Sequence, residues 1–162
     1  MQTKKLTTMA FLIGLSILGS YITIFMSIAL DSLPGFFAAL SLGALPGGVV
    51  GALGHFMTAL VHGFPLGLPT HLLLTLLMFG ACYFLGRFYK KNPMFAIAGA
   101  LVINWLLSLF FSSLLSYAMG VMPTPLALFG LLFMPLLLGT LVNLLPAVLL
   151  YKTLGERLDA LS

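Results

Sequence analysis

The sequence predicts an all-α membrane protein in which six transmembrane helices form a compact bundle, with both the N- and C-termini in the cytoplasm. The composition, the length and the positions of the cations lead to this prediction. Of the 162 residues, 61% are hydrophobic and 6% are charged, whereas soluble domains contain about 25% charged residues. The mean hydropathy of +1.19 requires lipid around most side chains. A disordered, nucleic-acid-binding or secreted soluble protein is therefore excluded.

The length sets the number of domains and spans. At about 20 residues per span, a chain of 162 residues holds about six spans and leaves little room for a further catalytic domain. We therefore expect a single membrane domain over residues 1–162.

Five apolar runs, each bounded by Pro, Gly or charge, supply the helices. They are Leu6–Leu30, Gly35–Val61, Pro69–Phe88, Met94–Ala118 and Pro125–Tyr151. The first run follows Lys4 and Lys5 and is longer than the ~7 to 15 apolar residues of a signal-peptide core. It is therefore expected to remain as a spanning helix.

The second run contains the breaking sequence Ala-Leu-Pro-Gly-Gly from Ala44 to Gly48, and a break there gives two short helices and six spans in total. Six spans place every cation on the cytoplasmic side, in agreement with the positive-inside tendency. These cations are Lys4, Lys5, Arg87, Lys90, Lys91, Lys152 and Arg157. The helix Gly35–Leu45 would measure only about 16 Å, so it needs support from its neighbours. Such interrupted helices often mark a transport site.

A few polar side chains interrupt the apolar runs, and ionisable groups at membrane depth are functional candidates. They are Asp31, His55, His62, His71, Asn104 and Asn143. Asp31, His62 and His71 should lie together with Tyr117 at the external face. Asp31 precedes the short helix, where it is suited both to cap that helix and to accept hydrogen bonds from a ligand.

The histidines and amides each allow two interpretations. His55 precedes His62 by seven residues and shares its helix face, but histidines without an inner carboxylate or thiolate make a poor metal site. A helix contact explains His55 equally well, whereas His71 follows a rigid outer loop and can point into a cavity. Asn104 and Asn143 should lie at similar depth, where they either bond each other or contact a ligand.

Several further residues complete the predictions for binding and docking. Phe36 and other aromatic residues are candidates to stack on a flat ligand. Small residues four apart let helices approach closely, and the pair Ala10 and Gly14 is a candidate surface for a membrane partner. Cys82 is expected to serve packing. No cofactor or metal is predicted.

The sequence lacks the motifs of common membrane enzymes and motors. It contains no G-x-x-x-x-G-K-[ST] phosphate loop, so any ATP drive must come from another subunit. It contains no H-E-x-x-H motif and no pair of carboxylates within the apolar runs, so we expect no enzyme activity.

Three stretches carry a resemblance to a known family. They are Ala29–Leu40, Gly51–His55 and Gly63–Leu72, and the likeness extends from Lys4 to Lys152. The chain resembles the substrate-binding S components of energy-coupling factor (ECF) vitamin transporters. Within that family it most resembles the group assigned to α-ribazole, a cobalamin precursor.

The resemblance implies a non-enzymatic capture subunit in the bacterial cell membrane, which binds its vitamin from outside and delivers it with a membrane-embedded coupling subunit and two ATPases. It implies a substrate site that includes Asp31, Phe36, His55, His71, Asn104 and Tyr117. The family docks its partner through A-x-x-x-A on helix one, where this chain has Ala10 and Gly14. The chain begins Met1-Gln2-Thr3 rather than with a Met-His arm, so a metal cargo is not expected.

The residues leave other functions open. Riboflavin, pantothenate or a pyridoxine-like vitamin can use the same polar groups. A small membrane enzyme with His55 or His71 as its base and a structural scaffold are the alternatives from other classes.

Overall fold

The computed structural model describes residues 2–25 and 28–159, and within them the chain forms six helices and one small hairpin. The helices are α1 (Gln2–Ser20), α2 (Leu33–Ser41), α3 (Ala44–Val61), α4 (Leu68–Phe88), α5 (Pro93–Ala118) and α6 (Pro125–Asp159). The strands β1 (Thr23–Phe25) and β2 (Ile28–Ala29) lie between α1 and α2 and pair antiparallel. The predicted number of helices is therefore confirmed.

Four of the described helices are long and apolar enough to cross a membrane. They are α3, α4, α5 and the part of α6 from Pro125 to Leu154. Helix α1 begins with threonines and lysines that lower its hydropathy, and α2 contains only nine residues. The prediction of six spans with cytoplasmic termini stays a prediction.

The predicted extent of the first helix, Leu6–Leu30, is wrong at its C-terminal end. Helix α1 ends at Ser20, and the chain then forms the hairpin of β1 and β2. The backbone N–H of Leu30 returns to the carbonyl of Gly19 at 3.2 Å, and a Cβ on Gly19 would collide with the carbonyl of Leu30. The β-branched residues after Tyr21 favour extended backbone over helix. The chain therefore turns back after Ser20, although the sequence predicts one continuous helix there.

The break between α2 and α3 exists but lies earlier than predicted. Helix α2 ends at Ser41 rather than at Leu45, and α3 already begins at Ala44. The turn uses Gly43, whose φ of 99° is readily adopted only by glycine. Pro46 then falls in the first turn of α3, where proline is tolerated.

Small residues hold α2 and α3 close together. A Cβ on Gly47 would collide with Ala39, and a Cβ on Gly35 would meet the Cα of Gly51 at 2.7 Å. The small residues four apart on these two helices, Gly35 with Ala39 and Gly47 with Gly51, therefore serve intramolecular packing. Short helix α2 gains its support in this way and also contributes to the buried core, which contains Phe36, Leu40, Met78, Cys82, Leu85 and Leu144.

Helix α5 contains a π-helical segment, Val102–Leu107. The hydroxyl of Ser108 donates to the carbonyl of Ile103 at 3.0 Å, five residues back. Such segments widen a helix locally and often occur at functional sites. Here the segment contains Asn104 and Trp105, both of which bond to α6.

Candidate functional site

A cavity of about 650 Å³ lies within the bundle, with walls from α3, α4, α5, α6 and the connection before α2. Cavities of this size commonly enclose a small organic ligand. One side of it is polar and carries the histidines and Asp31, and another carries hydroxyls and an amide. An apolar wall completes it.

The histidine pair links α3 to α4. Nε2 of His55 and Nδ1 of His71 are 3.5 Å apart, and the two rings stack with centroids 5.6 Å apart. The backbone N–H of Leu66 points at Nε2 of His71 at 3.5 Å. If both rings are neutral, this order makes Nδ1 of His71 the donor and Nε2 of His55 the acceptor. The Nδ1–H of His55 then remains for a ligand.

Asp31 lies in the connection before α2, at the cavity wall and outside the membrane-spanning helices. Burial raises the pKa of its carboxyl to about 6, against the opposing effects of the hydrogen bond from the Ser32 hydroxyl and of the nearby His62. The Ser32 hydroxyl donates to Oδ1 of Asp31 at 3.2 Å. Asp31 can therefore be protonated or ionised near neutral pH, and it can donate to or accept from a ligand.

Asn143, rather than Asp31, caps helix α2. Its Oδ1 accepts from the backbone N–H groups of Ser32 at 3.2 Å and Leu33 at 2.8 Å. Its Nδ2 donates to the carbonyls of Ala29 at 2.8 Å and Gly139 at 2.9 Å. Four bonds use the full capacity of the amide, so Asn143 lines the cavity as a structural residue with nothing left for a ligand.

Asn104 has a different partner from Asn143. Its Nδ2 donates to the hydroxyl of Thr140 on α6 at 3.1 Å, whereas no protein group within the described residues bonds its Oδ1. Of the two alternatives for these amides, the bond between them does not form, because Asn143 is engaged with α2 and with the carbonyls of Ala29 and Gly139. Asn104 instead lines the cavity with a free acceptor.

The apolar wall comes mainly from α6. Leucines of one face of α6 line the cavity, and Leu74 and Met78 of α4 continue this wall. The leucines are Leu128, Leu131, Leu132 and Leu136. Among the described residues that line the cavity there is no Phe, Tyr or Trp and no Lys or Arg. The aromatic rings among these lining residues are therefore imidazoles, and no Lys or Arg among them faces the Asp31 carboxyl.

The cavity brings together four of the six predicted site residues: Asp31, His55, His71 and Asn104. Phe36 is fully buried in the core, and Tyr117 is 48% exposed. The structure places neither of them on the cavity wall. Phe36 instead packs in the core against residues of α4 and α6, which hold the short helix α2 in place.

Sequence reasoning missed the hydroxyl side of the cavity. Thr58, Ser108, Ser112 and Thr140 all line it. Serine and threonine are common in membrane helices, so a single hydroxyl carries little signal. The spacing of Asn104, Ser108 and Ser112, four residues apart on one helix face, is the signal that could have found them.

The predicted docking pair lies away from the cavity. Ala10 is exposed on α1 and Gly14 is partly so, and a Cβ on Gly14 would meet no atom of residues 2–25 and 28–159 within 4 Å. Phe11 and Leu18 are also exposed on this helix, at 65% and 64%. The pair therefore lies on a surface of small and apolar side chains that is free to contact lipid or a partner.

A bundle of apolar helices around a polar-lined internal cavity defines a membrane protein that binds a small molecule. The described residues contain no group of three or more His, Cys, Asp or Glu that could hold a metal ion. The family model "ECF transporter, substrate-specific component" matches residues 4–155. The chain belongs to this family. No curated protein and no solved structure matches it.

Membership of the family has direct consequences for function. Its members are transport subunits rather than enzymes, and they associate with ECF coupling and ATPase subunits to move a small-molecule substrate. The chain is therefore a membrane-embedded, substrate-specific component of a transporter.

Proposed function

We propose that this protein captures a vitamin or vitamin precursor on the external side of a bacterial cell membrane, and that α-ribazole, a cobalamin precursor, is its substrate. In this proposal all six helices cross or enter the membrane, both termini are cytoplasmic, and the cavity opens outward. The observation that carries the proposal is the cavity itself, which joins a polar end at Asp31 and the histidines to an apolar wall from α6.

The chemistry of the cavity supports a neutral ligand with a flat apolar part. The leucines of α6 and Met78 offer an apolar surface to a benzimidazole ring, and the imidazoles of His55 and His71 offer planar faces. The free Nδ1–H of His55 suits an unprotonated ring nitrogen. Asp31 and Asn104 are left for hydroxyl groups.

The charge of the cavity ranks the alternative vitamins. An anion buried without a cationic partner costs several kcal/mol, and no Lys or Arg lies among the described lining residues. Pantothenate, a carboxylate, is therefore disfavoured. Riboflavin and a pyridoxine-like vitamin are the remaining alternatives, and riboflavin offers a flat ring and hydroxyls similar to those of α-ribazole.

A binding assay with the purified protein tests the proposal. Isothermal titration in detergent or nanodiscs should show saturable binding of α-ribazole, weaker binding of riboflavin or pyridoxine, and none of pantothenate. A bound ligand should also raise the melting temperature, because it stabilises only the folded form. Absence of saturable binding to every member of this panel would reject the capture function, whereas preference for another vitamin would reject only α-ribazole.

A further inference from the structure

Helix α5 presents a row of polar side chains at intervals of four residues. They are Asn104, Ser108, Ser112 and Ser116. Residues four apart lie on one face of a helix, and the first three line the cavity. Both Ser108 and Ser112 are buried from outside solvent, so this row is an internal wall and not a solvated surface.

The hydrogen-bonding capacity of this wall is only partly used by the protein. The hydroxyls of Ser108 and Ser112 donate to the carbonyls of Ile103 at 3.0 Å and Leu109 at 3.2 Å. Each Oγ therefore keeps its lone pairs as acceptors.

Thr140, on α6, lies next to this row and also lines the cavity. It is 2% exposed and accepts the bond from Asn104. Within the described residues, the hydroxyl proton of Thr140 and the Oδ1 of Asn104 have no protein partner. The wall thus offers several acceptors and two donors, the Thr140 hydroxyl and the second N–H of Asn104 Nδ2, all of them uncharged.

We propose that Asn104, Ser108, Ser112 and Thr140 form a hydroxyl-binding subsite that recognises the sugar or polyol part of the ligand. This inference rests on the proposed capture function and assigns a part of the substrate to a part of the cavity. A ligand hydroxyl both donates and accepts, so it matches a wall that mixes acceptors with donors. A phosphate or carboxylate would find two neutral donors and no Lys or Arg there.

The subsite implies a ligand with two parts, a flat ring and a group that carries hydroxyls. The ring occupies the space between the α6 leucines and the pair His55 and His71, and the hydroxyls face α5. A ligand without hydroxyls leaves the buried polar groups of α5 and α6 unpaired. Because unpaired buried groups are costly, a site of this kind discriminates strongly against analogues that lack the hydroxyls. The subsite therefore determines specificity for a glycosylated or polyol-bearing ring over the bare ring.

Matched pairs of ligands test the subsite. Affinities are measured for α-ribazole against 5,6-dimethylbenzimidazole, which lacks the ribose, and for riboflavin against lumichrome, which lacks the ribityl chain. Wild-type protein should bind the hydroxyl-bearing member of its preferred pair at least about 10-fold more tightly than the bare ring, since several hydrogen bonds are lost together.

Two variants test whether the preference for the hydroxyl-bearing ligand comes from α5 and α6. Ser112→Ala and Thr140→Val should each weaken binding of the hydroxyl-bearing ligand by about 5- to 20-fold and that of the bare ring by less than about 3-fold. Ser113→Ala is the matched control, because Ser113 is also a buried serine of α5 but does not line the cavity. Its hydroxyl has no hydrogen-bond partner within the described part of the chain, so its removal should leave both affinities and the fold unchanged. Thermal melts of each ligand-free variant report on folding.

The possible results distinguish failure of the proposed subsite from failure of the proposed capture function. Equal wild-type affinity for the two members of the bound pair overturns the subsite, even if a variant fails to fold. Unchanged affinities in Ser112→Ala and Thr140→Val, or equal losses for ring and hydroxyl-bearing ligand, also overturn it while the capture function stands. Failure of wild-type protein to bind any of the four probes overturns the subsite together with the choice of α-ribazole or riboflavin as substrate.

Discussion

The side chain of Asn143 on α6 accepts a hydrogen bond of 2.8 Å from the backbone N–H of Leu33, the first residue of α2, across 110 positions of sequence. This bond replaces the local cap that Ser32 does not supply. It fixes the start of α2, and with it the position of Asp31, against the wall of the cavity. The site therefore depends on a long helix that positions a short one.

Asn143→Leu should destabilise the ligand-free protein by about 2 to 4 kcal/mol, because it leaves the part-buried N–H groups of Ser32 and Leu33 and the buried carbonyl of Ala29 without their side-chain partner. Thermal or denaturant unfolding in detergent measures this loss. Asn104→Leu is the control, since it breaks only one bond to Thr140, and its loss should be clearly smaller. Equal stability of the two variants would contradict the capping role.

Asp31 should make stability depend on pH in the acid range. Burial raises the pKa of its carboxyl in the folded state from 3.8 to about 6, so the folded state prefers the protonated form. The burial penalty is absent well below pH 3.8, where both states are protonated. It grows between pH 3.8 and about 6, where only the unfolded state is ionised, and is complete above about 6. Asp31→Asn removes this titration and should be more stable than wild type by about 2 to 3 kcal/mol at pH 7.5.

At pH 4.5 this advantage of the Asp31→Asn variant should fall to about 1 kcal/mol, roughly a third of its value at pH 7.5. The difference in stability between wild type and Asp31→Asn is compared at pH 4.5 and pH 7.5, because both proteins contain the same histidines and the effect of their titration cancels in this difference. The measurement is thermal unfolding of the ligand-free protein. A constant difference between pH 4.5 and pH 7.5 would show that the carboxyl is not perturbed.

His71→Ala should weaken binding of α-ribazole about 10-fold, because it removes a wall residue and the partner of His55. His71→Phe keeps a ring next to His55 but no nitrogen, and it should give a similar loss if hydrogen bonding rather than packing is needed. Titration calorimetry measures both. The control is His62→Ala, an exposed histidine at the cavity, with a loss of less than about 3-fold expected. Wild-type affinity in His71→Ala would contradict the assignment.

Gly14→Trp should abolish assembly with the coupling subunit and leave ligand binding intact. No atom of the described residues lies within 4 Å of a Cβ at Gly14, so the indole fits the free subunit but blocks close approach of a partner helix. Co-purification with the coupling and ATPase subunits measures assembly. Gly14→Ala keeps the surface small and should assemble normally. Recovery of the complex at wild-type yield with Gly14→Trp would exclude this surface.

The six-span topology predicts opposite accessibility for the two ends of α5. Lys90→Cys, just before α5, should react with a membrane-impermeant maleimide only in permeabilised cells, whereas Val121→Cys, just after α5, should react in intact cells. The native Cys82 is fully buried, so wild-type protein serves as the unlabelled control. Labelling of Lys90→Cys in intact cells would overturn the orientation of the bundle.

The apolar runs and the positions of the cations determined the number of helices, the approximate ends of α4 and α5 and the start of α6, whereas α6 continues past the predicted Tyr151 to Asp159. Long apolar segments in lipid have few alternatives to helix, because each must satisfy its backbone hydrogen bonds internally. The same local pattern also identified Asp31, His55, His71 and Asn104, since a polar group stands out in an apolar run. These residues line one cavity.

Only the tertiary structure decided the hairpin after α1, the partner of Asn143 and the composition of the cavity wall. The hairpin depends on the return of Leu30 to Gly19, and the capping bond joins residues 110 positions apart. Phe36 faces the core for a similar reason, because short α2 is held by its neighbours. Sequence specifies which groups need partners, but which partner each finds is set by how the helices pack.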